Sequence, residues 1–133
     1  MNSLTASEAM MIDTDVLIDY LRGKADAVEF IEGLTTRILI SSITVAELYA
    51  AVREGNERTA LDQFISAFEF VPIDAAIAVE GGLFRRDFGK SHNVGLTDAI
   101  IAASAKARNA VLVTLNSKHF PMSVKVIVPD VKF

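Results

Sequence analysis

The sequence predicts an α/β fold with three layers, in which helices cover both faces of a central, mainly parallel β-sheet. Short apolar runs of strand character alternate with longer segments of helical spacing. Strands joined in this way form right-handed crossovers that place the helices on both faces of the sheet. Hydrophobic residues make up 51% of the 133 residues, which is enough to bury a core and too many for a disordered chain.

The first half of the chain is predicted to contain two strands and four helices. Both strands are apolar runs, and serines directly follow the second one, as expected for a buried parallel strand. The helices have apolar residues at helical spacing, and Gly23 and Gly55 follow two of them as stop signals. The strands are expected at residues 10–13 and 37–40, and the helices at residues 15–22, 25–34, 44–54 and 57–68.

The second half continues the alternation. Pro72 marks the end or an edge position of a strand at residues 70–73, and Gly89 ends a helix at residues 75–88. A helix at residues 97–108 is rich in Ala and Ile and apolar on most sides, so we expect it in the interior. The last two strands are expected at residues 111–114 and 124–128. No repeat or second-domain boundary interrupts the pattern. We therefore expect a single domain over residues 1–133, with residues 1–9 as a loose N-terminal tail.

Composition excludes several classes of protein. The absence of cysteine excludes a disulfide scaffold, a thiolate zinc site and a cysteine nucleophile. A net charge of −4 argues against a broad basic surface for nucleic acid, although cations bound in an acidic pocket would cancel local negative charge. The N-terminus lacks the features of a secretory signal, and no apolar run is long enough to span a bilayer. We therefore expect a cytoplasmic protein without a membrane anchor.

Four polar residues are expected to meet at one edge of the sheet. Ligands of open parallel sheets bind beyond the carboxyl ends of the strands, near helix N-termini. Asp13 ends the first strand, and Glu47 lies one turn into the helix after the second. Asp98 opens the interior helix, and Asn116 follows the fourth strand. The sequence therefore predicts four oxygen-bearing side chains at the same rim.

Each of these residues also has a purely structural explanation. Asp13 could be the N-cap of the first helix, and Asn116 could start a turn. Thr44 and Glu47 fit a capping box, in which the glutamate reaches back to the backbone of the cap. The threonine before Asp98 could cap the interior helix, with the aspartate favoured by the helix dipole.

The clustering of the carboxylates favours a metal over these separate roles. Like charges brought together repel and raise one another's pKa unless a cation neutralises them. Hard oxygen ligands of this kind suit Mg²⁺ or Mn²⁺. Asp98 is the most informative residue, because its apolar neighbours indicate a largely buried helix, and a charge at the start of such a helix needs a partner or a metal.

The order and spacing of four motifs carry a resemblance to a known family. The motifs are MIDTDVLI at residues 11–18, SITVAEL at residues 42–48, LTDAIIAA at residues 96–103, and LVTLN at residues 112–116 followed by Phe120. Together they resemble the PIN-domain family and, more narrowly, the VapC ribonuclease toxins of bacterial and archaeal toxin–antitoxin pairs. The resemblance runs from Met11 to about Pro129, which is nearly the whole chain.

The resemblance implies a PIN-like fold with a metal held by Asp13, Glu47 and Asp98. Asn116 falls where a fourth acid or amide often stands, and we include it among the catalytic residues. The sequence departs from the common pattern at His119, where many relatives have an acid. It also departs from that pattern at Asp15, where Asn or Ser is more common, and this aspartate could add a carboxylate around the metal ligands.

The function implied by the resemblance is metal-assisted hydrolysis of RNA phosphodiesters with Mg²⁺ or Mn²⁺. It also implies a cognate antitoxin whose C-terminal segment blocks the acidic pocket, often with an inserted arginine, and a homodimer. Since this chemistry needs no nucleophilic side chain, we expect His92 and His119 to be surface or loop residues.

Two other classes of function remain open. The start of the first motif, Asp13-Thr14-Asp15, nearly matches the nucleophile motif of haloacid-dehalogenase-like phosphatases, in which the first Asp is the nucleophile. The match is imperfect at Leu17, no later Asp-Asp pair with lysine is apparent, and the chain is short for that fold. The other class is a non-catalytic PIN-like module that binds RNA or protein. A DNA-directed role would use the same phosphate chemistry.

Overall fold

The computed structural model describes residues 8–123 and 125–129, in which five strands form one sheet. The strands are β1 (Met10–Ile12), β2 (Ile38–Ser41), β3 (Glu69–Val71), β4 (Val111–Val113) and β5 (Val126–Ile127). Their order across the sheet is β3-β2-β1-β4-β5, and all four pairings are parallel. The expected mainly parallel sheet is thus confirmed, and it is parallel throughout the described residues.

Helices fill the connections between the strands. They are α1 (Thr14–Leu21), α2 (Ala25–Glu32), α3 (Ser42–Ala50), α4 (Asn56–Ile65), α5 (Ala75–Phe88) and α6 (Leu96–Ala107), with a short 3-10 helix at Ser117–His119. The 3-10 helix was not predicted, because three residues are too short for a periodic apolar pattern. Within the described residues, no helix is both long enough and apolar enough to cross a membrane.

The sheet has a separate hydrophobic core on each face, because successive strand residues point in opposite directions. Met11, Leu39 and Leu112 face α5 and α6 and are almost completely buried. Ile12 and Ile40 face the other way, onto α1 to α4. The three predicted layers are therefore confirmed as helices, sheet and helices.

The interior position expected for α6 is confirmed, and it depends on close packing against α5. Six residues of α6 are buried: Ala99, Ile101, Ala102, Ala103, Ser104 and Ala105. Gly81 of α5 lies directly over Ile100. A Cβ atom at Gly81 would come within 2.9 Å of Ile100 Cγ1. The absence of a side chain at Gly81 therefore lets the two helices approach closely, which fixes the position of the N-terminal end of α6.

Helices α3 and α6 begin earlier than predicted, and this changes the residues that cap them. Ser41 is the N-cap of α3, and its Oγ accepts a hydrogen bond from the backbone N–H of Ile43 at 3.3 Å. Thr44 is consequently buried inside the helix, so the predicted capping box is wrong. Helix α6 follows Gly95, which makes no side-chain cap, so the predicted threonine cap is also wrong.

Two residues of the predicted N-terminal tail, Glu8 and Ala9, belong to the fold. The backbone carbonyl of Ala9 accepts a hydrogen bond from the N–H of Val111 at 2.9 Å, and Ala9 is only 5% exposed. Glu8 pairs with Lys125 at 2.9 Å. The expectation of a loose segment is therefore wrong for these two residues. Residues 1–7, which complete the predicted tail, lie outside the described residues, as do residues 124 and 130–133.

Candidate metal centre and active site

The four predicted site residues lie around one cavity at the carboxyl edge of the sheet. The strand order changes direction between β1 and β4, and such a switch point is where ligands bind in open α/β sheets. A cavity of about 240 Å³ opens there, and Asp13, Glu47, Asp98 and Asn116 all line it. The sequence-based expectation of a common rim thus agrees with their placement.

Asp13 directly follows β1 and is held by two hydrogen bonds. Its Oδ1 accepts from the backbone N–H of Thr14 at 2.8 Å, so the residue does cap α1. Its Oδ2 accepts from the Thr114 hydroxyl at 2.7 Å, which ties the ends of β1 and β4 together. The side chain is only 5% exposed. Burial, and then the negative charge of Asp15, raise the pKa of Asp13 from its ordinary 3.8 to about 7.

Glu47 reaches the cavity from α3. Its Oε1 accepts a hydrogen bond from the Thr14 hydroxyl at 2.6 Å. The same hydroxyl lies 3.1 Å from the hydroxyl of Thr44, the residue that was expected to form the capping box. The carboxylate is therefore directed across to α1 instead of back to its own helix terminus. Thr14 connects Glu47 to the neighbour of Asp13.

Asp98 enters from the first turn of α6, and its side chain is 29% exposed. Its Oδ2 lies 3.6 Å from Nδ1 of His119. Burial raises the pKa of Asp98, the contact with His119 lowers it, and the charges of Glu47 and Asp15 raise it. His119 lies in the short 3-10 helix of the loop after β4, as expected for a loop residue, and its partly buried side chain also lines the cavity.

Asn116 lines the cavity and forms a hydrogen bond with Asp15, which also lines it. Its Nδ2 donates to Asp15 Oδ2 at 3.0 Å, and its backbone N–H donates to the Thr114 hydroxyl at 3.1 Å. The sequence alone assigned no site role to Thr14, Thr114 or His119, and it suggested Asp15 only as an added carboxylate around the metal ligands. The spacing of two residues from Asp13 was the one available signal for Asp15. His119 was marked only by its position, where many relatives have an acid, and no local pattern marks Thr14 or Thr114.

The oxygen donors fit a hard divalent cation, although no three acidic or imidazole side chains in the described part of the chain converge on one point. Carboxylates that face one another without a counterion repel, and the raised pKa values of Asp13 and Asp98 express burial together with that repulsion. Burial also raises the pKa of Asp15. A cation such as Mg²⁺ or Mn²⁺ would remove the repulsion and is bound by this type of oxygen ligand. The residues present therefore fit the metal that the fold implies.

The arrangement does not favour a covalent phosphoenzyme. Asp13 would have to be the nucleophile, yet it is buried and both of its oxygens accept hydrogen bonds. Among the described residues, the one hydroxyl that lines the cavity is that of Thr14, and it donates to Glu47. Carboxylates in a small cavity are instead suited to holding a cation against a phosphate.

Comparison with known proteins agrees with this architecture. The PIN-domain family model matches residues 10–121. The chain is 35% identical over 116 residues to Ribonuclease VapC10 of Mycobacterium tuberculosis, covering 85% of this chain and 86% of that protein. It is 37% identical over 116 residues to Ribonuclease VapC19 of the same organism, with 84% and 92% covered.

A solved structure shows the same fold. It is a toxin–antitoxin complex from Klebsiella pneumoniae, with a TM-score of 0.79 and 28% identity over 90% of this chain and 97% of that chain. The family match covers all four predicted site residues, since they lie between residues 10 and 121. This chain belongs to the PIN-domain family and, within it, to the VapC group.

Proposed function

We propose that this chain is a divalent-metal-dependent endoribonuclease and the toxin of a toxin–antitoxin pair. The observation that supports this most strongly is the cavity of carboxylates at the switch point of a PIN-domain sheet. The related VapC10 and VapC19 proteins are named ribonucleases. VapC ribonucleases of this family generally depend on a divalent metal, and hard oxygen donors favour Mg²⁺ or Mn²⁺.

In this proposal Asp13, Glu47 and Asp98 hold the metal. When bound, the ion supplies Lewis-acid stabilisation of the phosphate and lowers the pKa of a water molecule. The protein keeps the ligands in place: the Thr114 hydroxyl holds Asp13, and the Thr14 hydroxyl holds Glu47. Both threonines are buried, so their orientation is fixed by packing. Such outer contacts orient metal ligands and tune their affinity.

The substrate would reach the cavity along a neighbouring groove. A groove of about 560 Å³ lies between α1, α3 and α4, and Ile18 and Glu47 line both the groove and the cavity. Arg22 and Arg53 also line the groove, and neither takes part in an ion pair within the described residues. We infer that these guanidinium groups contact RNA phosphates next to the scissile bond.

We infer two protein partners and a cytoplasmic location. The related structure from Klebsiella pneumoniae is a toxin–antitoxin complex, which supports a cognate antitoxin for this chain. The antitoxin would block the acidic cavity, and an inserted arginine would pair with the carboxylates. A second copy of the chain would cover the outer face of α5, where Val79 is 63% exposed and Leu83, one turn on, is 37% exposed. We treat residues 1–133 as one PIN domain.

Cleavage of RNA by the purified chain tests the proposal. Antitoxin-free protein is incubated with total cellular RNA and Mg²⁺ or Mn²⁺, and the 5′ ends of the fragments are mapped. We expect discrete cuts that disappear with EDTA and in Asp98→Asn. Asp19→Asn is the matched control, because this aspartate of α1 pairs with Lys24 and does not line the cavity. A protein that neither cuts RNA nor binds either metal would contradict the proposal and favour the non-catalytic binding module.

A further inference from the structure

Asp15 is a fourth carboxylate at the cavity, and the loop after β4 holds it there. It lies in the first turn of α1 and lines the cavity. Its Oδ2 accepts from the backbone N–H of Leu115 at 3.3 Å and from Nδ2 of Asn116 at 3.0 Å. Leu115 and Asn116 are 100 and 101 positions away from Asp15 along the chain. The side chain is directed across the crevice and not along its own helix.

Asp15 is also close to the other acids of the cavity. Asp13, Asp15 and Asp98 line the same cavity, and the negative charge of Asp15 raises the pKa of both Asp13 and Asp98. Glu47, by comparison, acts electrostatically on Asp98 and reaches the β1 end of the cavity through Thr14. Asp15 thus lies between acids that come from two different segments of the chain.

An acid in the first turn of a helix has an ordinary explanation, because it is favoured by the helix dipole. That explanation does not require contact with another segment. It also does not account for an acid placed against Asp13, since the repulsion between the two carboxyl groups opposes the gain from the dipole. The hydrogen bonds from Leu115 and Asn116 show that the loop after β4 is shaped around this carboxylate.

We infer that Asp15 is a fourth carboxylate of the metal centre and that Asn116 is its positioning residue. The inference rests on the proposed function, because it concerns the same metal site. The amide of Asn116 donates to Asp15, so its contribution is to orient an acid and not to supply a charge. Asp15 lies on α1 and Asn116 lies on the loop after β4, and both residues line the cavity.

The test measures Mn²⁺ binding by isothermal titration calorimetry to the full chain after removal of metal with EDTA. We expect Asp15→Asn to weaken Mn²⁺ binding at least about tenfold, in the range found when groups close to a metal are removed. Asp19→Asn, one turn further along the same helix and outside the cavity, should bind as the unaltered chain does.

Exchanging the pair tests the positioning role. The double variant Asp15→Asn with Asn116→Asp keeps one carboxylate and one amide in contact and should recover most of the lost affinity. Thermal unfolding in EDTA shows whether Asp15→Asn folds. If this single variant does not fold, the Mn²⁺ affinity of the double variant still tests the inference.

The outcomes separate this inference from the proposed function. Unchanged Mn²⁺ affinity in Asp15→Asn would overturn the assignment of Asp15 as a carboxylate of the centre. An exchange variant that binds no better than Asp15→Asn would overturn the pairing with Asn116. If the unaltered chain binds neither Mn²⁺ nor Mg²⁺, the proposed function itself fails, and the inference about Asp15 fails with it.

Discussion

The carboxyl group of Asp13 has two structural partners and an electrostatic cost. It accepts hydrogen bonds from the N–H of Thr14 and the hydroxyl of Thr114, yet it is buried beside another acid. Each hydrogen bond contributes about 1 kcal/mol to stability. The rise in the pKa of Asp13 to about 7 shows that burial and repulsion outweigh these bonds when no cation is present. The site is therefore arranged for a ligand and not for the stability of the metal-free chain.

Asp13→Asn should stabilise the metal-free protein at neutral pH. The folded pKa of about 7 exceeds the ordinary 3.8, so the folded state binds more protons than the unfolded state between these values, and stability falls as pH rises through this window. An asparagine can accept from the Thr14 N–H and donate to Thr114 without carrying charge. In EDTA we expect the free energy of unfolding of the variant to be about 1–3 kcal/mol higher at pH 7.5. This free energy should also fall less steeply between pH 4 and 7.

Urea unfolding in EDTA at pH 4, 5, 6 and 7.5 measures this difference. At pH 4 the two proteins should be close in stability, because the unaltered carboxyl is then protonated in the folded state. A variant that is less stable than the unaltered chain at pH 7.5 would contradict the assignment of Asp13 as a strained, repelled carboxylate.

At the scale of single elements, the contact between α5 and α6 positions Asp98. Helix α6 has no side-chain N-cap, and six of its residues are buried, so its position depends on packing. Gly81 permits this packing because Ile100 fills the space that a side chain would take. The next residue, Gly82, has nothing within 4 Å of the position of a Cβ atom.

These two glycines form a matched pair for a stability measurement. Gly81→Ala should destabilise the fold by about 1–3 kcal/mol, because the new methyl group would overlap Ile100 and its backbone. Gly82→Ala should stabilise it by about 0.5–1 kcal/mol, because alanine favours a helix over glycine and meets no neighbour. Urea unfolding of both variants gives the comparison, and effects of equal sign would contradict the described packing.

The groove between α1, α3 and α4 gives a second prediction at this scale. Replacing both Arg22 and Arg53 by Gln should raise KM for RNA about tenfold and lower the slope of log KM against log salt by roughly 0.7 per lost phosphate contact. Replacing both Arg85 and Arg86 by Gln, on α5 in the opposite layer, is the control of matched charge. Equal effects of the two sets of variants would show that only net charge matters and would remove the groove from the substrate path.

At the scale of the whole molecule, the candidate metal centre exists only in the folded chain. Its acids come from residues near 13, 47 and 98, and the hydrogen bond between Asp13 and Thr114 spans 101 residues. An unfolded chain cannot keep these groups together, so binding of a metal should be linked to folding. The raised pKa values of Asp13, Asp15 and Asp98 show that these acids oppose folding at neutral pH without a cation, and a bound cation would reverse this effect.

Saturating Mn²⁺ should therefore raise Tm. A ligand present at one hundred times its Kd stabilises the folded state by about 2.7 kcal/mol, which corresponds to a rise of several degrees for a domain of this size. We expect the rise to be lost in Asp98→Asn and kept in Asp19→Asn, because only the first residue lines the cavity. Scanning calorimetry with and without Mn²⁺ measures it, and a rise of equal size in both variants would place the ion elsewhere.

The fold class and the rim of acids could be predicted from the sequence alone. The alternation of apolar strands and helices is a local property, and parallel strands necessarily bring their carboxyl ends to one edge. For this reason the meeting of Asp13, Glu47 and Asp98 at one edge follows from the order of the elements along the chain. The predicted bounds of helix α5 coincide with the observed ones, because an N-terminal aspartate and a following glycine mark its two ends.

The partner that each side chain contacts depends on how the layers pack together. Helix α3 begins two residues before its predicted start, and each residue turns a helix by about 100°, so the partner of Glu47 changed from its own cap to Thr14. The contacts of Asn116 with Asp15 and of His119 with Asp98 join segments that are distant in the chain. Such contacts depend on how the layers pack, to within about an ångström, and local sequence patterns carry no information at that precision.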